Sequence, residues 1–158
     1  MNEKIINDIN IILSKKIEKD IPCCEDSTND YDAYNNLDNM YKRDTKHYDD
    51  ITIFKDYLNI SMEELAEKLE VDLVALNNLF SMRHIPSKGL AIAIGMSLNI
   101  EKDKLREILL GMGYTLCSND SDRIMNYFID NEIYDIKELN EVLLQYGQMY
   151  LYSKRKLR

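Results

Sequence analysis

The chain has 158 residues, of which 45% are hydrophobic and 30% charged, with a net charge of −8. That is enough apolar material for one domain with appendages, and it excludes disorder throughout. Five Gly and two Pro are too few for a barrel or sandwich built on tight turns, and the carboxylate excess argues against indiscriminate binding to nucleic acid or to an anionic membrane.

No apolar run reaches the ~18–20 residues of a membrane span, and Asp and Lys interrupt the N-terminal run where a signal peptide would be continuous. The cysteines, Cys23, Cys24 and Cys117, are odd in number and contain no Cys-x-x-Cys pair, so neither a disulfide framework nor a zinc knuckle is expected. A reducing bacterial cytoplasm is the expected location.

In chain order, residues 1–20 carry Ile5, Ile6, Ile9, Ile12, Leu13 and Ile17 at spacings of three and four. The pattern predicts one amphipathic helix over 3–20, ended near Pro22, whose stripe must dock on the rest of the chain or on a second copy. Residues 21–48 read as an acidic linker. Over 21–50, eight carboxylates stand against three cations, among four tyrosines, a strip that solvates itself or meets a partner.

Helical signals resume over 49–113. A first helix is expected at 51–59, with Ile53, Phe54 and Leu58 inward. Ser61-Met-Glu-Glu64 is a capping box opening a second helix that buries Leu65, Ala66 and Leu69. Asp72 can cap a third, with Leu76, Leu79 and Phe80 inward, and Ser87 a fourth. The fourth, Leu90 to Leu98, is apolar nearly all round and is expected at the buried centre. A fifth runs over 101–110 and stops at Gly111 and Gly113. Residues 114–147 hold a pair of helices, one starting at Asp120 or Ser121, the other capped by Asp135 and ended by Gly147. Residues 148–158 form a basic tail, with four cations over 154–158, expected to fray, to hold a phosphate or an acidic partner, or to pair with the acidic linker. The fold class expected is all-α.

Catalytic signatures are missing. The sequence has two histidines, no Gly-rich phosphate loop, no Gly-x-Ser-x-Gly and no His-Glu-x-x-His. Cys23, Cys24 and His47 form the one metal-like cluster and lack a fourth ligand, so neither a metal nor a cofactor is expected, and the chain does not read as an enzyme. Tyr114, Tyr127, Phe128, Tyr134 and Tyr146 recur among carboxylates rather than cations, which favours packing over base stacking.

The segment Ser61-Met-Glu-Glu-Leu-Ala-Glu-Lys-Leu-Glu-Val71 continues through Leu76, Leu79, Arg83 and Pro86-Ser87 into the apolar fourth helix. Over 49–113 it resembles the Cro/CI-type (XRE) helix-turn-helix family and implies a five-helix domain of that kind. The stretches Leu109 to Leu116, Tyr127-Phe-Ile129, Tyr134-Asp-Ile136 and Leu139-Asn140 resemble a helical extension of some bacterial helix-turn-helix and macro-domain proteins.

The family resemblance implies a third helix in the DNA major groove and a second helix seated on phosphate. Base-facing positions would then be Asp72, Leu73, Val74, Asn77 and Asn78; phosphate-facing ones would be Ser61, Met62, Arg83, His84 and Lys88. The sequence departs from the family at Met62, where Gln is common, at Leu73 and Val74, where small polar or basic residues are common, and at Glu70, where Gly is frequent.

Two functions follow. One is a transcriptional regulator binding double-stranded DNA as a homodimer, with the N-terminal stripe or the C-terminal pair as dimer contact. The other is a protein-interaction module that has lost DNA reading and contacts its partner through Leu73, Val74 and Met82.

Overall fold

Most of the helices begin where a short polar side chain holds the first free amides; the helix that opens after Glu101 has no such cap. A computed structural model describes residues 2–15, 51–82 and 84–152. The linker over 21–48, with Cys23, Cys24 and His47, lies outside that set, as do Arg83 and residues 153–158. The described helices are α1 (Glu3–Ser14), α2 (Met62–Leu69), α3 (Leu73–Met82), α4 (Lys88–Ser97), α5 (Lys102–Gly111), α6 (Asp120–Asp130) and α7 (Ile136–Gln145), with no strand among the described residues. Ser61, Ser87, Asn119 and Asp135 each accept an amide hydrogen bond from three residues on, which offsets the orphan donors of a helix start.

Two boundaries differ from expectation. The segment before α2 is a 3-10 helix, Ile51–Tyr57, because its β-branched Ile51-Thr-Ile53 start is stiff and a short tight turn suffices to bury Ile51 and Phe54. The N-terminal helix ends at Ser14, with Lys15 already extended. Ile17 lies outside the described residues.

The core is organised around α4. All residues from Leu90 to Ser97 are buried, and α2, α5, α7 and the 3-10 helix pack around them. Gly95 lets α4 and α5 approach closely: a Cβ there would stand 2.3 Å from a Leu105 methyl, and the Leu105 side chain would have to shift.

Five helices end in the same way. The amide two residues past the last turn returns to the carbonyl five residues back in Val71→Ala66, Ile100→Gly95, Tyr114→Leu109, Ile133→Phe128 and Gln148→Leu143. This is the Schellman arrangement, which needs a left-handed residue in the turn. Gly113 and Gly147 supply it without strain, while Glu70, Asn99 and Glu132 adopt φ of 53°, 52° and 52°. A left-handed non-glycine residue costs about 1–2 kcal/mol. Glu70→Gly and Glu132→Gly should therefore each stabilise the protein by about 1 kcal/mol, net of glycine's greater entropy loss, seen as a higher urea midpoint with unchanged slope.

The N-terminal helix docks on the C-terminal pair. Ile5 and Ile9 are buried, and α1 packs against α6. Polar ties flank them: the Tyr127 hydroxyl donates to Asp8 (2.7 Å), the Tyr146 hydroxyl to Asn10 (2.7 Å), and the Asn2 amide to Glu138 (3.0 Å). The Arg123 guanidinium takes the carbonyls of Ile12 and Lys15, a cation placed at the negative end of α1. The two surfaces expected to join a dimer thus cover one another within one chain.

The tail also departs from expectation at its start. Leu151 is buried, its amide donates to Asn140 (3.0 Å), and the Tyr152 hydroxyl donates to the Leu69 carbonyl at the end of α2. Residues 148–152 therefore belong to the body, held by apolar burial that a tally of charges does not register.

The tyrosines work as ties between elements: Tyr114 donates to the Pro86 carbonyl (2.6 Å) and Tyr134 to that of Ile100 (2.7 Å). Burial, then the neighbouring Asp8, raises Tyr127 to about 12; burial, then Glu70, raises Tyr152 to about 12. Both phenols thus hold their protons more tightly when folded than in the unfolded chain, where they titrate near 10. Their contribution is complete below about pH 10 and is lost as pH climbs toward 12. Tyr127→Phe should flatten the alkaline loss of stability, read from urea midpoints at pH 9 to 11.

Candidate interaction edge

The α2–α3 unit is built by two local devices. Ser61 accepts from the Glu64 amide at 3.1 Å, starting α2. After the left-handed turn at Glu70, one Asp72 carboxylate oxygen accepts from the amides of Val74 (2.9 Å) and Ala75 (3.1 Å), starting α3. Leu76 and Phe80 then face inward against the core, which leaves the opposite side of α3 in solvent.

That outer side is uncharged, with apolar residues at both ends and polar ones between. Val74 is 65% exposed, Met82 63% and Ile85 43%, and Asn77, Asn78 and Ser81 lie exposed among them. Val74, Asn78 and Met82 are spaced by four and form one stripe. No Lys, Arg, Asp or Glu occurs from Leu73 to Met82. Beside it, α2 turns Glu63, Glu64 and Glu67 outward, with Glu64 3.7 Å from Lys68.

The residues singled out in the sequence divide accordingly. Val74, Asn77, Asn78 and Met82 share the outer side of α3. Leu73 does not join them: it is half-buried and packed against the core, because the first turn of α3 leans on its neighbours. Met62 is likewise half-buried and packed inward. The Ser61 hydroxyl and the Asp72 carboxylate are engaged as caps. His84 is exposed, and its carbonyl accepts from the Ile51 amide (3.2 Å). Arg83 lies outside the described residues.

Lys88 is the clearest departure. Its ammonium lies 2.7 and 2.9 Å from the two oxygens of Asp122 and 3.3 Å from the Thr115 carbonyl. Asp122 is 2% exposed and also accepts from the Cys117 amide (2.7 Å) and the Asn119 side chain (3.1 Å). This lysine is committed to a structural pair joining α4 to α6 and is not presented to a phosphate. In the sequence Asp122 is one of several carboxylates among the C-terminal tyrosines; its place three residues after a capping Asn119, the spacing of a helix start, is the signal that sets it apart. The sequence pattern does not single out Ile85, which extends the apolar stripe beyond α3.

No family model, curated protein or solved structure matches the chain. Among the described residues, no group of three or more His, Cys, Asp or Glu side chains could hold a metal ion, and no helix is long and apolar enough to cross a membrane.

Proposed function

We propose that this protein acts by binding, as a regulatory module of helix-turn-helix type, and that its binding edge is the outer side of α3 meeting another protein. One observation carries this reading: the stripe from Val74 to Met82 is exposed, apolar at both ends and free of charge. A groove-reading helix draws much of its affinity from cations on phosphate, and Lys88 is engaged by Asp122. An exposed apolar stripe with amide side chains suits a protein surface, where apolar contact at the centre supplies the affinity.

Double-stranded DNA, bound by a homodimer, is the second reading. It is favoured by Asn77 and Asn78, both exposed on α3, since an asparagine amide can pair with the adenine edge in the major groove for about 1–3 kcal/mol of discrimination.

Affinity recovery from the source cells, run in parallel with the wild-type chain and with Val74→Ser/Met82→Ser, separates the two. The docking reading expects a protein recovered by the wild type and lost by the variant, and no mobility shift of the gene's upstream DNA at about 50 mM salt. A shift that weakens steeply by about 200 mM salt and disappears in Asn77→Ala/Asn78→Ala would overturn docking in favour of DNA reading.

A further inference from the structure

The partner's chemistry can be read from what borders the stripe. Carboxylates outnumber cations close to it: Asp72 is bonded to the amides of Val74 and Ala75 at the head of the stripe, and the packed neighbour α2 exposes Glu63, Glu64 and Glu67 against Lys68, which lies 3.7 Å from Glu64. The stripe itself contributes no charge to offset them. Its described apolar members, Val74, Met82 and Ile85, span α3 and the turn after it, the length over which a helix lays apolar anchors at every third and fourth position.

From this juxtaposition we infer that the outer side of α3 accepts an amphipathic helix of a partner protein whose apolar stripe is flanked by lysine or arginine. The inference rests on the docking reading above and adds the charge of the partner to it. Apolar contact with Val74 and Met82 supplies the affinity; the carboxylates select a basic flank and speed its approach. A partner with an acidic flank is rejected, because like charges would meet across the contact.

The test uses the full chain and two synthetic amphipathic helices, each with a leucine stripe, one flanked by lysines and one by glutamates. Titration by calorimetry should show binding of the lysine peptide only. Val74→Ser/Met82→Ser, both at exposed positions and checked for unchanged circular dichroism, should weaken it about tenfold, equivalent to about 1.4 kcal/mol. Glu63→Gln/Glu67→Gln should reduce the salt dependence of binding.

If both peptides bind equally and the serine variant weakens both, docking at α3 stands and the basic flank is overturned. If the lysine peptide binds but the serine variant leaves its affinity unchanged, the attraction is diffuse and both the inference and docking at α3 are overturned. If neither peptide binds, the inference is overturned, and the recovery experiment above decides the docking reading by itself.

Discussion

Lys88→Met should cost about 3–5 kcal/mol of stability, because it leaves a carboxylate in the interior without its cation. The pair is close, at 2.7 Å, and unequally buried: the lysine side chain is 29% exposed and the aspartate 2%. Removing the aspartate is expected to hurt less. In Asp122→Ala the ammonium can turn toward water, and the main loss is the bond from the Cys117 amide plus the tie between α4 and α6, about 2–3 kcal/mol together. The double variant Lys88→Met/Asp122→Leu, which removes both charges, should recover part of the deficit. Equilibrium urea unfolding of the four proteins supplies a double-mutant cycle. A Lys88→Met variant within about 1 kcal/mol of the wild type would show that the pair behaves as a surface ion pair. It would also return this lysine to the pool of cations available to a phosphate.

Gly89→Ala should be the second large effect, and its sign should depend on whether the C-terminal segment is present. Gly89 is the second residue of α4, and a Cβ there would fall 1.6 Å from the Leu151 carbonyl oxygen and 2.5 Å from its carbon. The obstruction is backbone, so no rotamer change relieves it. Residues 148–152 would have to leave, exposing Leu151 and giving up the bonds to Asn140 and Leu69, a loss of about 2–4 kcal/mol from one buried side chain and two hydrogen bonds. In a chain ended after Gln148 the obstruction is gone. There alanine should be better than glycine in the helix by about 0.5–1 kcal/mol. Equal destabilisation in both backgrounds would overturn this account of the docked C-terminus.

Local chemistry was readable without coordinates. The spacing of Leu65, Ala66 and Leu69, and of Leu76 and Phe80, places apolar groups on one side of an α-helix wherever that helix sits. Ser61, Ser87, Asp72 and Asp135 cap the helices they were expected to cap, since a cap needs only a side chain within three residues of a free amide. The burial of α4 followed from its apolar run, because from Leu90 to Met96 it carries no polar side chain to face water.

Partners distant in sequence were not readable. Leu73 and Val74 are neighbours of the same chemistry, yet one packs inward and the other is 65% exposed; their side chains point about 100° apart on the helix, and only the arrangement of surrounding elements says which direction is outside. Lys88 looked like a surface cation until Asp122, 34 residues away, closed on it. The amphipathic N-terminal helix announced that it needed a partner, while the identity of that partner, α6, came from contacts across more than a hundred residues. The tail was read from its charge, and the single buried leucine that anchors it was missed.

What the amino-acid order alone determined is thus the all-helical character, the helix starts and the buried position of α4, all governed by forces acting within a few residues. The tertiary structure decided which cations remain available, which apolar groups stay on the outside of α3, and which surface covers α1. These depend on loop closure and on desolvation by groups far along the chain, and no local pattern encodes them.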